Sequence, residues 1–246
     1  MNVVNQANSL AVEMANGTNT PANNQAAAQQ VGQMINELQQ YADTSYNGQN
    51  LFTGTNLNLS SAYSSSSASF SANTASGTQT ITYNVYTYQG TDTNQNYQIT
   101  QNETVTPSLT ADAIFGNDPK STSTSAKPTN AVPSGLISVL SLFQSELQNN
   151  VYQQNSSSII QGIQNGLSTM TAAQATIGTV TERLNEQQTS YQTVLTNISQ
   201  LLSQTQDVNV AQAMTNLTQA QNSYQATLEA SSDITSLTPM LLQYLK

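Results

Sequence analysis

Thirteen carboxylates and four cations make up the charged chemistry of this chain, and it has neither histidine nor cysteine. Thiol nucleophiles, disulfides, imidazole bases and the Cys- or His-containing zinc sites are thereby excluded. Asp92, Glu103, Asp112 and Asp118 are spread without the spacing of a calcium loop or of a paired-carboxylate site. Arg183 stands beside Glu182 and Glu186 and reads as a solvated helix pair, an arrangement worth roughly a few tenths of a kcal/mol. Tyr83, Tyr86, Tyr88 and Tyr97 could line a ligand face, but in an alternating segment they read as ordinary strand residues of high β propensity. No Gly-rich phosphate loop occurs, and no nucleophile stands with a base. The residues predict no enzyme, no metal and no cofactor.

Charge narrows the partners as well. The cations are Lys120, Lys127, Arg183 and Lys246, against a net charge of −9. So few cannot form a patch that neutralises several phosphates, which excludes nucleic acid and disfavours an anionic membrane. No apolar run approaches the roughly 18 residues needed to span a bilayer, and Met1-Asn2-Val3-Val4-Asn5 lacks the basic and apolar regions of a secretory signal. Only 7% of residues are charged, against about a quarter in ordinary globular proteins. Solubility must therefore rest on Asn, Gln, Ser and Thr.

What the chain does carry is periodicity. Ile160, Ile163, Leu167, Met170, Gln174, Ile177, Val180, Leu184, Gln187, Tyr191, Val194, Ile198 and Leu201 recur at spacings of three and four. An average of about 3.5 keeps one apolar seam along a helix and turns it toward partner helices. Gly162, Gly166 and Gly178 interrupt it, each costing about 1 kcal/mol relative to Ala, so a broken or mobile first part is expected.

Shorter helices precede the ladder. Val3, Ala7, Leu10 and Met14 share one stripe; Asn16-Gly17-Thr18 ends it, and Thr20-Pro21 restarts a helix with Thr as N-cap and Pro at its first position. The seam resumes at Ala28, Val31, Ile35, Leu38 and Ala42 and stops near Tyr46-Asn47-Gly48. Residues 56–132 are rich in Ser and Thr. Alternation over Thr80 to Tyr88 and again over Tyr97 to Val105, with Gly90 to Asn96 between, predicts a hairpin. Helix returns near Ser134 with Leu136, Leu140, Phe143 and Leu147, and a final helix is expected to open at Asp207. The predicted fold is mainly α: an elongated antiparallel helical bundle or coiled-coil rod with a small β-rich insertion. Its parts are a helical half over 1–55, the insertion over 56–132, a second helical half over 133–204 and a polymerisation helix over 205–246. The seams of 22–46 and 134–202 are expected to pack on one another.

Four segments carry a family resemblance. Glu13-Met14-Ala15-Asn16-Gly17-Thr18-Asn19-Thr20 resembles the "A-x-N-G-T" interhelical turn of bacterial flagellins and hook–filament junction proteins. Tyr46-Asn47-Gly48-Gln49-Asn50-Leu51-Phe52-Thr53-Gly54 is similar to the "N-G-x-Y-L-F-x-G" motif that closes the N-terminal helical half in the junction protein. Asp207-Val208-Asn209-Val210-Ala211, followed by Leu217, Gln221, Tyr224 and Leu228, resembles the family's "D-x-D-x-A…L…Q-x-x-Y" C-terminal helix. Ser236-Leu237-Thr238-Pro239-Met240-Leu241-Leu242-Gln243-Tyr244-Leu245 is similar to the junction protein's "S-L-L-D-Y-L" ending. The chain thus resembles the flagellin and flagellar hook–filament junction family (hook-associated protein, FlgL type), without that family's N-terminal portion.

The resemblance implies a structural subunit of the bacterial flagellum joining hook to filament, extracellular and exported by the flagellar type III apparatus. It also implies a homo-oligomeric ring or tube, contact with other hook-associated proteins and flagellin, and an export chaperone. A flagellin filament subunit is the alternative, and a secreted coiled-coil adhesin or type III tip protein the second alternative. Expected rod-core packing residues are Val31, Ile35, Leu38, Ile163, Leu167, Met170, Ile177, Val180, Leu184, Tyr191, Val194, Ile198 and Leu201. Expected assembly or chaperone contacts are Val210, Met214, Leu217, Tyr224, Leu228, Leu237, Leu241, Leu242, Tyr244 and Leu245.

Overall fold

The computed structural model describes residues 1–118 and 131–244, with side chains for 1–118, 131–206 and 210–233. The fold is mainly α with a small β-rich region. Its elements are α1 (Asn2–Met14), α2 (Pro21–Ala42), β1 (Ser45–Tyr46), β2 (Gln49–Asn50), β3 (Tyr63–Thr74), β4 (Gly77–Tyr88), β5 (Tyr97–Thr100), β6 (Glu103–Val105), α3 (Ala111–Phe115), α4 (Leu136–Gln148) and α5 (Tyr152–Tyr244). The chain divides into two compact units, residues 1–183 and 184–246.

In the first unit local chemistry places most boundaries. The last carbonyls of a helix lack intrahelical partners; the Asn19 amide donates to those of Glu13 and Met14 in α1 and to that of Asn16 just beyond it. Thr20 caps α2 by accepting from the Asn23 N–H at 3.2 Å, with Pro21 next to it. Beyond α2, Asn47 and Gly48 both take positive φ (51° and 77°). That is what a two-residue turn between twisted strands requires, and it joins β1 to β2.

Helix α4 is the centre of the unit. Every residue from Gly135 to Phe143 is buried, as expected of a helix apolar on all sides. It packs on α2 and on β4, and the Gln144 amide donates to the Ala28 carbonyl of α2 at 3.2 Å. On its β4 side the outward N–H groups of alternate strand residues meet side chains. Asn84 N–H donates to Ser141 Oγ (2.9 Å), Tyr86 N–H to Ser138 Oγ (2.8 Å), and Tyr88 N–H to Asn117 Oδ1 (2.9 Å). A helix thus takes the place of a third strand.

The sheet pairing differs from the sequence expectation. β4 pairs antiparallel with β3, from Tyr63↔Tyr88 to Thr74↔Gly77 without a register shift, and β5 pairs with β6. The expected partnership of residues 80–88 with 97–105 does not form. Four consecutive serines, Ser64 to Ser67, and an Ala75-Ser76 turn hide the β3 partner from propensity, because neither is a strand or hairpin signal. The turn is closed by Gly77 at φ 134°.

The third helical contact comes from the start of α5. A Cβ on Gly162 would lie 3.0 and 3.1 Å from the two Val139 methyls, and one on Gly166 would lie 2.6 Å from Leu136 Cδ1. These two glycines, expected to break the helix, instead let α4 approach it. α5 is continuous through them, through Gly178 and through Asp207, so no helix opens at Asp207. Tyr152 at its start is buried, donates to the Ala11 carbonyl of α1 at 2.8 Å and packs its ring 4.5 Å from that of Phe143.

Two outcomes follow for stability. Ser138→Ala with Ser141→Ala leaves the buried Tyr86 N–H and the part-buried Asn84 N–H of β4 unpaired, and the buried one alone costs about 1–3 kcal/mol; chemical denaturation should show a lowered midpoint, and an unchanged one refutes the edge contact. The three helical glycines should separate. Open space surrounds the point that a Cβ on Gly178 would occupy, so Gly178→Ala should stabilise by about 1 kcal/mol, whereas Gly162→Val should destabilise by at least as much through overpacking.

Candidate assembly surface

The Asn47–Gly54 segment is where the helical half hands over to the β region, and its backbone clamps the two together. Phe52 O accepts from the Ala111 N–H (2.8 Å) and the Tyr88 hydroxyl (3.0 Å). Thr53 O accepts from the Thr91 N–H at 3.2 Å, and the Thr55 N–H donates to Thr91 Oγ1 at 2.8 Å. Gly54 takes φ 67°, and any Cβ there would lie 2.2 Å from the Thr91 carbonyl oxygen. Only glycine meets both demands.

The tyrosines of β4 form no open ligand face. Tyr83, Tyr86 and Tyr88 are buried, and Tyr97 is exposed. Burial pushes the Tyr83 and Tyr88 phenols up to about 12, helped by Asp118 for the first and by Asp112 and Asp92 for the second. Among the described residues no group of three or more His, Cys, Asp or Glu could hold a metal ion, and no helix is long and apolar enough to cross a membrane. Arg183 pairs with Glu103 of β6, not with its helix neighbours Glu182 and Glu186.

One ionisable group stands apart. Glu146 of α4 is fully buried, and neither carboxyl oxygen has a hydrogen-bond partner. Desolvation raises its pKa to about 8, so near neutrality it holds its proton. Burial, and then Glu146 itself, raises the Tyr152 phenol well above its usual range. Sequence periodicity held no sign of this residue.

Helix α5 changes character along its length. Ile163 is buried, and Leu167 and Met170 are half-buried against the core, which also buries Val31, Ile35 and Leu38 of α2. Further on, Val180 is half-buried, and Ile177, Leu184, Tyr191, Val194, Ile198 and Leu201 are exposed, from 38% at Leu184 to 62% at Leu201. The buried ladder expected over 160–201 therefore ends near Ala173 within one chain. Within the unit 1–183, α2 packs on α4. Val210, Met214, Leu217, Tyr224 and Leu228 are exposed too. The side chains of Leu237, Leu241, Leu242 and Tyr244, and residue Leu245, lie outside the described residues.

Threonines around this seam are satisfied within the helix. Thr181, Thr189, Thr193, Thr196, Thr205 and Thr215 each donate to the carbonyl four residues back. What the helix offers its surroundings is thus an apolar stripe on a surface whose threonine hydroxyls are already satisfied. Such an exposed apolar face marks an interaction surface.

Comparison with known proteins defines the class. Residues 160–245 match the family described as the bacterial flagellin C-terminal helical region, and over those residues the chain is similar to flagellins. Over most of the chain the fold is similar to that of flagellar hook-associated proteins. Hook-associated protein 3 of Legionella pneumophila shares it at a TM-score of 0.61 and 13% identity, over 84% of this chain and 88% of that one. A hook-associated protein of Vibrio parahaemolyticus does so at 0.61 and 12%, over 81% and 77%. FlgL of Xanthomonas campestris does so at 0.60 and 13%, over 82% and 89%. No curated protein sequence matches the chain.

Glu146 sets a pH dependence. An unfolded glutamate ionises near 4.5, while the folded one holds its proton to about 8. Between those values the native state binds more protons than the unfolded state, so stability falls as pH rises, by at most about 1.4 kcal/mol per unit. Glu146→Gln should remove this slope: its melting temperature should change less than that of the parent from pH 5 to 8. Parallel curves would refute the neutral, buried acid.

Proposed function

We propose that this chain is a structural subunit of the bacterial flagellum that joins hook to filament. The observation that carries this reading is the exposed apolar seam of α5, which falls in the segment matching the flagellin C-terminal helical region. The shared fold with proteins described as hook-associated and junction proteins supports it. Its work is mechanical. Burying large apolar side chains contributes about 1.5–3 kcal/mol each, and a seam left open by its own chain gains that contribution when neighbouring helices cover it. Packing of this kind builds a ring or tube of like subunits in contact with other hook-associated proteins and with flagellin, outside the cell.

The same open seam is a liability before assembly. An export chaperone covering the C-terminal part of α5, from Val210 to Leu228 and on to Leu237, Leu241, Leu242, Tyr244 and Leu245, would keep it from associating early. Passage through the flagellar type III apparatus accords with a chain that has no disulfide to break. A flagellin filament subunit is the second reading, favoured by the family match over 160–245.

A bacterium lacking its junction protein provides the test. The chain should restore attachment of filament to hook, and should not form long filaments when purified alone. Filaments grown from the purified chain would instead assign the flagellin role. At the residue level, Ile198→Asp with Met214→Asp should weaken self-association or attachment at least tenfold, with no loss in the thermal stability of the monomer. Leu184→Asp, which a fully buried ladder would make globally destabilising, should also remain folded, because Leu184 is 38% exposed. Loss of its cooperative melting would restore the buried-ladder view.

A further inference from the structure

The turn between α4 and α5 has one residue out of character. Asn150 takes the left-handed conformation at φ 57°. Its N–H donates to the Leu147 carbonyl at 3.1 Å, and the Val151 N–H donates to the Glu146 carbonyl at 3.0 Å. These are the two bonds of a Schellman motif, in which the residues joined by the longer bond commonly share an apolar contact. Val151 is apolar and buried, as that contact requires. Its counterpart is Glu146, fully buried and without a partner among the described residues for either carboxyl oxygen. An acid can occupy this apolar slot while neutral; ionised and unpaired, it is far costlier to bury.

Three elements distant in sequence are tied to this turn and to the helical turn after it. Asn24 of α2 donates to Asn150 Oδ1 at 2.9 Å. Tyr152 donates to the Ala11 carbonyl of α1 at 2.8 Å. The Asn155 side chain accepts from the Asn73 N–H of β3 at 3.1 Å, and its amide donates to the Asn73 carbonyl at 3.3 Å and to the Val151 carbonyl at 2.9 Å. All three ties start from residues 150–155, so a turn that changes shape moves them together. No neighbour stands ready to hold a Glu146 carboxylate. Met1 and Glu13 at the ends of α1 are exposed, as are Glu37 and Tyr41 of α2. The buried phenols of the hairpin, Tyr63, Tyr83, Tyr86 and Tyr88, are raised first by burial and not by Glu146. Tyr152 does feel Glu146, and burial keeps its phenol protonated well above the ordinary range. Arg183, the side-chain cation among the described residues, pairs with Glu103.

We propose that the α4–α5 turn is a pH-operated hinge: on ionising, the Glu146 carboxyl leaves its slot for water, and the turn releases its ties to α1, α2 and β3 together. α1 then keeps its packing on α2 but loses its tie to α5. Burial holds the Glu146 proton to about 8, against 4.5 for an open glutamate. The closed turn therefore binds more protons than the open one between these values, so opening becomes easier as pH rises from 4.5 toward 8 and gains nothing further beyond. The hinge lies wholly within the unit 1–183 and does not depend on the flagellar reading.

Hydrogen exchange of the full chain, resolved by NMR and corrected for the intrinsic pH dependence of exchange, tests the hinge. From pH 5 to 8, protection of the Asn73 and Val151 N–H groups should fall at least tenfold. At pH 8 it should respond less to added urea than protection of Asn84 and Tyr86, because a local opening exposes little surface. Glu146→Gln should flatten the pH dependence at Asn73 and Val151. Glu146→Leu, which puts an apolar residue in the slot, should do the same and serves alone if the glutamine variant does not fold. A tenfold fall that persists in either folded variant overturns the proposal. Equal urea responses at Asn73, Val151, Asn84 and Tyr86 would make the opening global unfolding and overturn it too.

Discussion

The outer edge of β4 must hand its N–H groups to something other than water, because α4 lies against it. An unpaired buried N–H costs as much as a lost hydrogen bond, and a two-stranded hairpin is marginal alone. Ser138 and Ser141 resolve both problems. Their hydroxyls would be costly on a helix buried on every side, and the N–H groups would be costly against an apolar helix; together each satisfies the other. Once α4 is seated on the sheet, its remaining faces can only be covered by other helices. α2 covers one, through the Gln144–Ala28 contact and an apolar interface. The first turns of α5 cover another, at the distance Gly162 and Gly166 permit. Segments more than a hundred residues apart thus meet on one 13-residue helix.

The same arrangement explains why α5 is buried at its beginning and open later. α4 is short, and the hairpin and α2 are packed around it instead of along the ladder. Beyond Ala173 the apolar seam continues in sequence, and most of its large side chains are exposed. A seam of this kind is neither an accident of composition nor a core. Its threonines are satisfied within the helix, its charges are few, and its apolar side chains point to solvent at helical spacing. The physical property that such an exposed apolar face confers is association.

How far sequence could see depended on the range of the interaction involved. The ends of α1 and α2 were legible because Asn16-Gly17, Thr20 and Pro21 act within a few residues, and so was the Asn47-Gly48 turn. Burial of Val31, Ile35 and Leu38 followed from period alone. The β3 strand was not legible, since Ser64 to Ser67 have no intrinsic strand preference and are held by β4 and not by propensity. Tyr152 and Glu146 carried no signal either. Tyr152 sits in the first turn of a helix whose pattern begins later, and its partner, the Ala11 carbonyl, is 141 residues away. Gly162 and Gly166 read as weak points because helix propensity is a single-chain property, whereas their purpose is a close approach by α4. Arg183 had carboxylates as neighbours in sequence and took a third one from β6.

Sequence by itself determined the helical periodicity, the caps and turns, the absence of histidine and cysteine, and the likeness to flagellin-type proteins carried by four short motifs. Each of these is written in residue types acting over one or two helical turns. Only the tertiary structure decided which apolar seam becomes core and which remains surface, because a 3-4 spacing specifies that a helix has a sticky face and says nothing of whether its own chain can reach that face.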